Sequence, residues 1–481
     1  MSVSKQRHSF TCFGSFQLST RNLVRVIVLS ISNKEIDPMK KQPWLSSALA
    51  LGFVIAIGVL PALAQSNPIF VPFTGGAKAL LYLPDNNPSP KVAVLTVHRT
   101  GDKFTALECT ELSRRGFGVL CLNTRFQNNE ALVEFEKIPL DVKQGVEYLK
   151  KRGVSKVILL GHSGGGATTT FYQAVAEAGT SYCQGPNKIT PCDNSLAGLP
   201  RADGMLLLDA HPSNASNALR AMNPAVFNEQ RPDLVDPSLD PFNPANGYNP
   251  EGQSHYPPEF VKRYSAAQAK RMNEWIDRAL LMRKLMKEGN WTYPDNDALV
   301  IGRGNDRSTN IFAMDTTIQC CTKRPQRLLK NDGTIVTQII KSVRPPDTTR
   351  AKMNGTFGDG SFNLGGARVL TVKSFLSANA IRATDSLDYS KIDWCSSNNS
   401  VPCALKTITV PVLIAAMQAH YFVTDSEYFL DIAKSTDKEF IAIEGAVHMF
   451  TPCTDCEGGP YNNSVKNLFD YVAKWINARF Q

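Results

Sequence analysis

The 481 residues contain 43% hydrophobic side chains and carry a net charge of +9. That is enough chain and enough apolar material for one large domain with an insertion, or for two to three domains. Seven of the 52 basic residues but only two of the 43 acidic ones fall in residues 1–64, so much of the positive excess belongs to that segment, and the remainder gives no reason to expect a nucleic-acid partner.

Export is the first expectation in chain order. Met39-Lys40-Lys41 is a basic start, Leu45 to Leu60 is apolar, and Ala62-Leu63-Ala64 is a small-x-small cleavage pattern. A signal peptide is therefore expected over 39–64, with 1–38 as an upstream extension. The apolar stretch is short for a membrane span and Pro61 lies near its end, so no stable membrane anchor is expected after cleavage. A periplasmic or secreted protein follows. Removing Cys12 with the leader leaves ten cysteines, an even number. Cys183/Cys192, Cys395/Cys403 and Cys453/Cys456 have the close spacing of disulfides in an oxidising compartment. Cys109 and Cys121 read equally well as buried thiols.

Beyond residue 69, short apolar runs alternate with amphipathic stretches, the pattern of a mostly parallel sheet covered by helices. Strands are predicted over 77–83, 91–97, 118–122, 157–160, 204–208, 410–416 and 439–443. Helices are predicted over 104–115, 139–152 and 465–480. Pro139 suits the first position of its helix, and Gly153 ends it. Between roughly 212 and 400 the texture changes. A proline- and asparagine-rich opening runs to Pro257, a helical pair is predicted over 258–287, and 327–336 reads as strand, turn, strand around Asp332-Gly333. This region is expected to be an insertion covering the active edge, with residues 65–211 and 401–481 as the core.

Residues 157–166 read VILLGHSGGG. Gly161-His162-Ser163-Gly164-Gly165 fits G-x-S-x-G, in which a strand turns sharply into a helix and presents a serine hydroxyl at the carboxyl edge of the sheet. Glycine is needed there because the turn is too tight for neighbouring side chains.

The order of motifs resembles the α/β-hydrolase superfamily over about 77–211 and 402–480, with the insertion where that family carries a cap. The resemblance implies a doubly wound sheet and a serine esterase-like or lipase-like activity without a cofactor. VLTVHRTG, Val94 to Gly101, resembles the family's oxyanion segment, with Arg99 in place of the usual glycine. By position the oxyanion donors are the N–H groups of Gly164 and of Arg99 or Thr100. IEGAVHMF, Ile443 to Phe450, resembles the segment bearing the catalytic histidine, which makes His448 the base for Ser163. The family's usual acid position falls on or beside His420, where no carboxylate stands. Asp209, ending its strand, is the preferred substitute, and Asp425 is the alternative.

His98, His162, His211, His420 and His448 all fall at predicted carboxyl ends of strands and are pocket candidates. Converging imidazoles raise the idea of zinc. The absence of HExxH and the family counterparts of His98 and His162 weigh against it, so no metal is expected. The reading is a serine hydrolase acting on a small-molecule or polymer ester. Thioester or amide hydrolysis, metal assistance, and a binding protein that kept the fold without catalysis are its alternatives.

Overall fold

In the computed structural model the described residues are 67–304, 309–346, 362–364 and 367–481. They fall within one unit, Pro61–Gln481. The upstream extension and the signal peptide expected over 1–64 lie outside them. Among the described residues, no helix is long and apolar enough to cross a membrane.

The strands in chain order are β1 (Ile69–Pro72), β2 (Lys78–Tyr82), β3 (Val92–His98), β4 (Gly118–Asn123), β5 (Lys156–His162), β6 (Gly204–Leu208), β7 (Ala298–Gly302), β8 (Gln326–Leu329), β9 (Ile335–Gln338), β10 (Phe362–Leu364), β11 (Ala367–Thr371), β12 (Val412–Met417) and β13 (Lys438–Ile443). Ten of them form one sheet in the order β1-β2-β4-β3-β5-β6-β12-β13-β8-β9. From β4 through β8 every pairing is parallel, and the pairings of β1 with β2, β2 with β4 and β8 with β9 are antiparallel. Every residue of β3, β4, β6 and β12 is buried, which is why these strands read as unbroken apolar runs. One face of the sheet packs on the helices Ile138–Lys151 and Gly165–Ala178, and the other on Leu107–Ser113 and Ser464–Phe480.

The strand order reverses at β3: the chain passes from β3 to β4 on one side, then crosses to β5 on the other. The carboxyl ends of β3 and β5 therefore flank a crevice, the place where open α/β sheets collect ligands.

Two expectations about the insertion change. Residues 258–287 form one 30-residue helix, not a pair. No proline or glycine interrupts it after Pro258, and Phe260, Tyr264, Gln268, Met272, Trp275, Ala279, Met282 and Met286 continue one buried stripe. The strand-turn-strand segment is present, with Leu328 opposite Val336, and Lys330 N–H donating to Thr334 O at 2.8 Å across the turn. It does not lie over the sheet edge, however, because β8 pairs with β13 and extends the main sheet. The rest of the insertion has its own apolar core, to which the long helix, β7, β11 and neighbouring loops contribute; β11 pairs with β7 and β10 in a three-stranded sheet.

The ten described cysteines are joined in five pairs: Cys109–Cys121, Cys183–Cys192, Cys320–Cys321, Cys395–Cys403 and Cys453–Cys456. Cys109 and Cys121 are thus partners, not separate thiols. Their 12-residue separation hides the pairing in sequence; the helix that follows β3 packs back on β4 and brings them together.

Candidate active site

Ser163 sits between β5 and the helix Gly165–Ala178 with φ of 56°, a left-handed backbone that a non-glycine residue adopts only under constraint. Its neighbours have no space for side chains. A Cβ on Gly161 would stand 2.5 Å from Gly166 Cα, and one on Gly165 would stand 2.3 Å from the Val97 carbonyl oxygen. The Ser163 carbonyl is held by the N–H groups of Gly166 at 3.1 Å and His211 at 3.3 Å.

His448 reaches Ser163 from the loop after β13, its Nε2 2.9 Å from Ser163 Oγ. Its Nδ1 lies 2.6 Å from Asp209 Oδ2. A carboxylate can only accept, so the ring proton belongs on Nδ1, leaving Nε2 to accept from the serine hydroxyl. Asp209 is fully buried at the end of β6 with φ of 44°, and Met417 N–H donates to its Oδ1 at 3.1 Å. Burial by itself would raise this carboxyl. The charge and hydrogen bonding of His420, with His448 second, outweigh burial and hold the group below the usual carboxylate range.

His420, in place of the expected acid, touches that acid instead. Its Nδ1 lies 2.8 Å from Asp209 Oδ2, though off the direction of a straight hydrogen bond. Its ring stacks on His448 with centroids 4.5 Å apart. Burial lowers His420 to about 4 against the pull of Asp209, so at neutral pH a neutral imidazole stands beside an ionised carboxylate.

The other candidates divide. His162 donates from Nε2 to the His448 carbonyl at 2.9 Å and packs on Phe450, bracing the His448 loop. Burial lowers it to about 3. His98 Nδ1 accepts the N–H groups of Gly101 at 2.7 Å and Thr100 at 3.2 Å. The amide of Thr100, expected as one of two alternative oxyanion donors beside Gly164, is therefore directed at His98. Asp425 is elsewhere: its buried carboxylate meets Arg220 at 3.3 Å and the Tyr389 hydroxyl at 2.7 Å. The helix Val423–Ile432 that follows β12 carries it to that pair and not to His448.

Arg99 shows what the departure from glycine costs. Its side chain is 1% exposed, and Nε donates to Glu130 Oε2 at 2.9 Å. Glu130 also accepts from Asn214 Nδ2 at 3.0 Å and Asn379 Nδ2 at 3.3 Å. Sequence reading missed all three residues. The available signal was Arg99 itself, since a buried guanidinium requires a carboxylate; nothing local says which one.

A cavity of about 600 Å³ opens over Ser163. The core contributes His98, His211 and His448 to its wall, and the insertion contributes Met222, Leu370 and Phe375. Among the described residues, Asp209, His420 and His448 are the grouping whose ligand atoms lie close enough to hold an ion. Both Nδ1 atoms stand at hydrogen-bond distance from one oxygen, closer than the roughly 3.3 Å that separates ligands about 2 Å from a tetrahedral zinc. The set suits a proton relay better than a metal.

The strand order, the reversal at β3, and the serine turn after β5 facing a histidine after the last parallel core strand define an α/β-hydrolase fold. No family model matches the chain, and no curated protein matches it. Among solved structures it is similar to Est1E from Butyrivibrio proteoclasticus, with 12% identity and a TM-score of 0.34, covering 86% of this chain and 99% of that one. It is similar also to the siderophore hydrolase EstB from Aspergillus fumigatus, with 12% identity, a TM-score of 0.40, and 88% and 99% covered. A soluble variant of monoglyceride lipase from Saccharomyces cerevisiae shows 13% identity, a TM-score of 0.38, and 87% and 97% covered. At scores of this size the fold class rests on this chain's own sheet order and serine turn.

Proposed function

We propose that the chain is an exported serine hydrolase that cleaves a carboxylic ester through an acyl-enzyme intermediate. The observation that carries the reading is the continuous contact from Asp209 through His448 to Ser163, at 2.6 and 2.9 Å, on a serine held in a strained turn. Ser163 Oγ attacks the ester carbonyl while His448 Nε2 takes its proton, and Asp209 holds the tautomer and stabilises the imidazolium. The carbonyl oxygen becomes an oxyanion that accepts from the backbone N–H of Gly164, at the start of a helix, and from that of Arg99. As the intermediate collapses, His448 returns the proton to the leaving alcohol. Water, activated by the same imidazole, then releases the acid and restores Ser163.

A cavity of about 600 Å³ suits a small-molecule ester or the exposed end of a larger one. Five disulfide pairs and the leader pattern over 39–64 support export. The test is labelling by a fluorophosphonate probe. The wild-type protein should take the label and Ser163→Ala should not; folded wild-type protein without Ser163-dependent labelling would sink the proposal.

A further inference from the structure

The charged groups on the cavity wall are engaged within the protein. Arg99 pairs with Glu130, Lys103 with Glu108 and Arg271 with Glu229, while Arg368 Nη2 donates to Asn379 Oδ1 at 2.7 Å. Asp102 accepts from Phe104 N–H at 2.9 Å and from Asn123 Nδ2 at 2.7 Å. What is left over is neutral. Among the described residues lining the cavity, His211, Asn217 and Asn310 are polar, and their side chains make no hydrogen bond or ion pair to the protein.

These three side chains border one stretch of wall. The rings of His211 and His448 both pack on Phe422, with centroid distances of 5.8 and 5.7 Å. The stretch therefore begins on the His448 side of Ser163, where a leaving alcohol takes its proton. Shortly after His211 the helix Asn214–Arg220 starts, and it puts Asn217 on the cavity. Ala221 N–H donates to Asn217 O at 2.9 Å, and Thr309 Oγ1 donates to Ala221 O at 2.8 Å, so Asn310 stands beside the next turn of that helix. One turn is about 5.4 Å, more than a single hydroxyl spans. His211 Nδ1 and Asn310 Oδ1 are buried without a partner. A neutral imidazole with no acceptor at Nδ1 keeps its proton on Nε2, and burial, with the Arg99 charge second, keeps His211 neutral. The stretch thus offers His211 Nε2–H and the Asn310 Nδ2 hydrogens as donors, and both ends of the Asn217 amide.

We propose that the leaving alcohol of the ester is polyhydroxylated, a monosaccharide or glycerol unit whose hydroxyls bond to His211, Asn217 and Asn310. This rests on the serine-hydrolase reading above. A hydroxyl donates and accepts at once, as the Asn217 amide does, and needs no counter-charge. An alcohol with a bare hydrocarbon skeleton would strip water from the three side chains without replacing its hydrogen bonds. Phe422, on the same wall, supplies apolar surface for the carbon skeleton.

The experiment compares two pairs of butyrate esters on the wild-type protein: the glucose 6-ester with the tetrahydropyran-2-ylmethyl ester, which is the same ring without its hydroxyls, and the glycerol 1-ester with the propyl ester. We expect kcat/KM to favour the hydroxylated ester by about tenfold or more in at least one pair, the size of two hydrogen bonds between neutral groups. The pair that shows it tells a sugar ring from a three-carbon unit. Ratios of one or less in both pairs, with Ser163 still labelled by the fluorophosphonate, overturn the inference and leave the serine-hydrolase reading intact. If no ester turns over and Ser163 takes no label, the proposed function fails, and titration calorimetry of Ser163→Ala with the same esters still decides the wall: equal affinities within both pairs sink it, and tighter binding of a hydroxylated ester upholds it. Asn217→Ala combined with Asn310→Ala removes both amides, neither of which bonds to the protein, and should bring the favoured ratio toward one. A double variant with the wild-type unfolding midpoint and the full preference would overturn the assignment.

Discussion

His420 Nδ1 lies 2.8 Å from Asp209 Oδ2, the oxygen that also meets His448 Nδ1 at 2.6 Å. One carboxylate oxygen thus serves two imidazoles, and the second of them stands where the family resemblance led us to expect the acid. His420→Ala should lower kcat by about tenfold, because Asp209 and His448 lose the imidazole packed against both, which fixes their positions. His420→Asn keeps a donor near the Nδ1 position and should recover part of the loss. Steady-state kinetics on one ester, with unchanged unfolding midpoints, checks both; Ala and Asn variants of equal, wild-type turnover would remove His420 from the relay.

The two carboxylates weighed for the third position should separate cleanly. Asp209→Asn should lower kcat by about 10³–10⁴-fold, since the amide favours the wrong His448 tautomer. Asp425→Asn should keep turnover within about twofold yet cost about 3 kcal/mol of stability, because it leaves Arg220 buried without its charge partner. Urea unfolding and turnover, measured on both variants, read the contrast.

Gly161 and Gly185 offer a paired test of the serine turn. Gly161→Ala forces a Cβ to within 2.5 Å of Gly166 Cα, a backbone atom that cannot yield without moving the turn. A loss of roughly 2–4 kcal/mol and of fluorophosphonate labelling is expected. Gly185→Ala meets nothing within 4 Å and should change neither.

Stability should fall as the solution is acidified from pH 7 to pH 5. His162 is lowered to about 3, His420 to about 4, and His98 and His211 well below 6.5, all chiefly by burial. Below pH 6.5 the unfolded chain therefore binds protons that the folded chain refuses, and the free energy of unfolding decreases as pH drops. Glu136 acts in the opposite sense. Burial raises it to about 7, so its contribution is present at low pH and is lost as pH rises from about 4.5 through 7. Four histidines outweigh one carboxyl. Urea midpoints at pH 7 and pH 5 check the sign, and a higher midpoint at pH 5 would contradict it.

Much of the fold was legible because its signals are local. Buried parallel strands must be apolar on both faces, so β3, β5, β6, β12 and β13 stand out as runs. The serine turn admits only glycine at Gly161 and Gly165, so its motif is visible in five residues. The insertion was harder to read. A 30-residue helix and two halves of a pair share the same periodicity, and no residue of β8 announces that it will pair with β13, more than a hundred positions later.

Sequence by itself picked out Ser163 in its turn, the histidine that faces it, and the sheet edge where they meet, because each depends on spacing within a few residues. Only the tertiary structure placed Asp209 against His448 and Asp425 against Arg220, turned the Thr100 amide toward His98, and supplied Glu130 to Arg99. Those choices depend on which strand ends become neighbours. β6, β12 and β13 lie side by side, so Asp209, His420 and His448 converge across more than two hundred residues of chain. Pairing of that kind is set by the packing of the whole core, and no short stretch of sequence carries it.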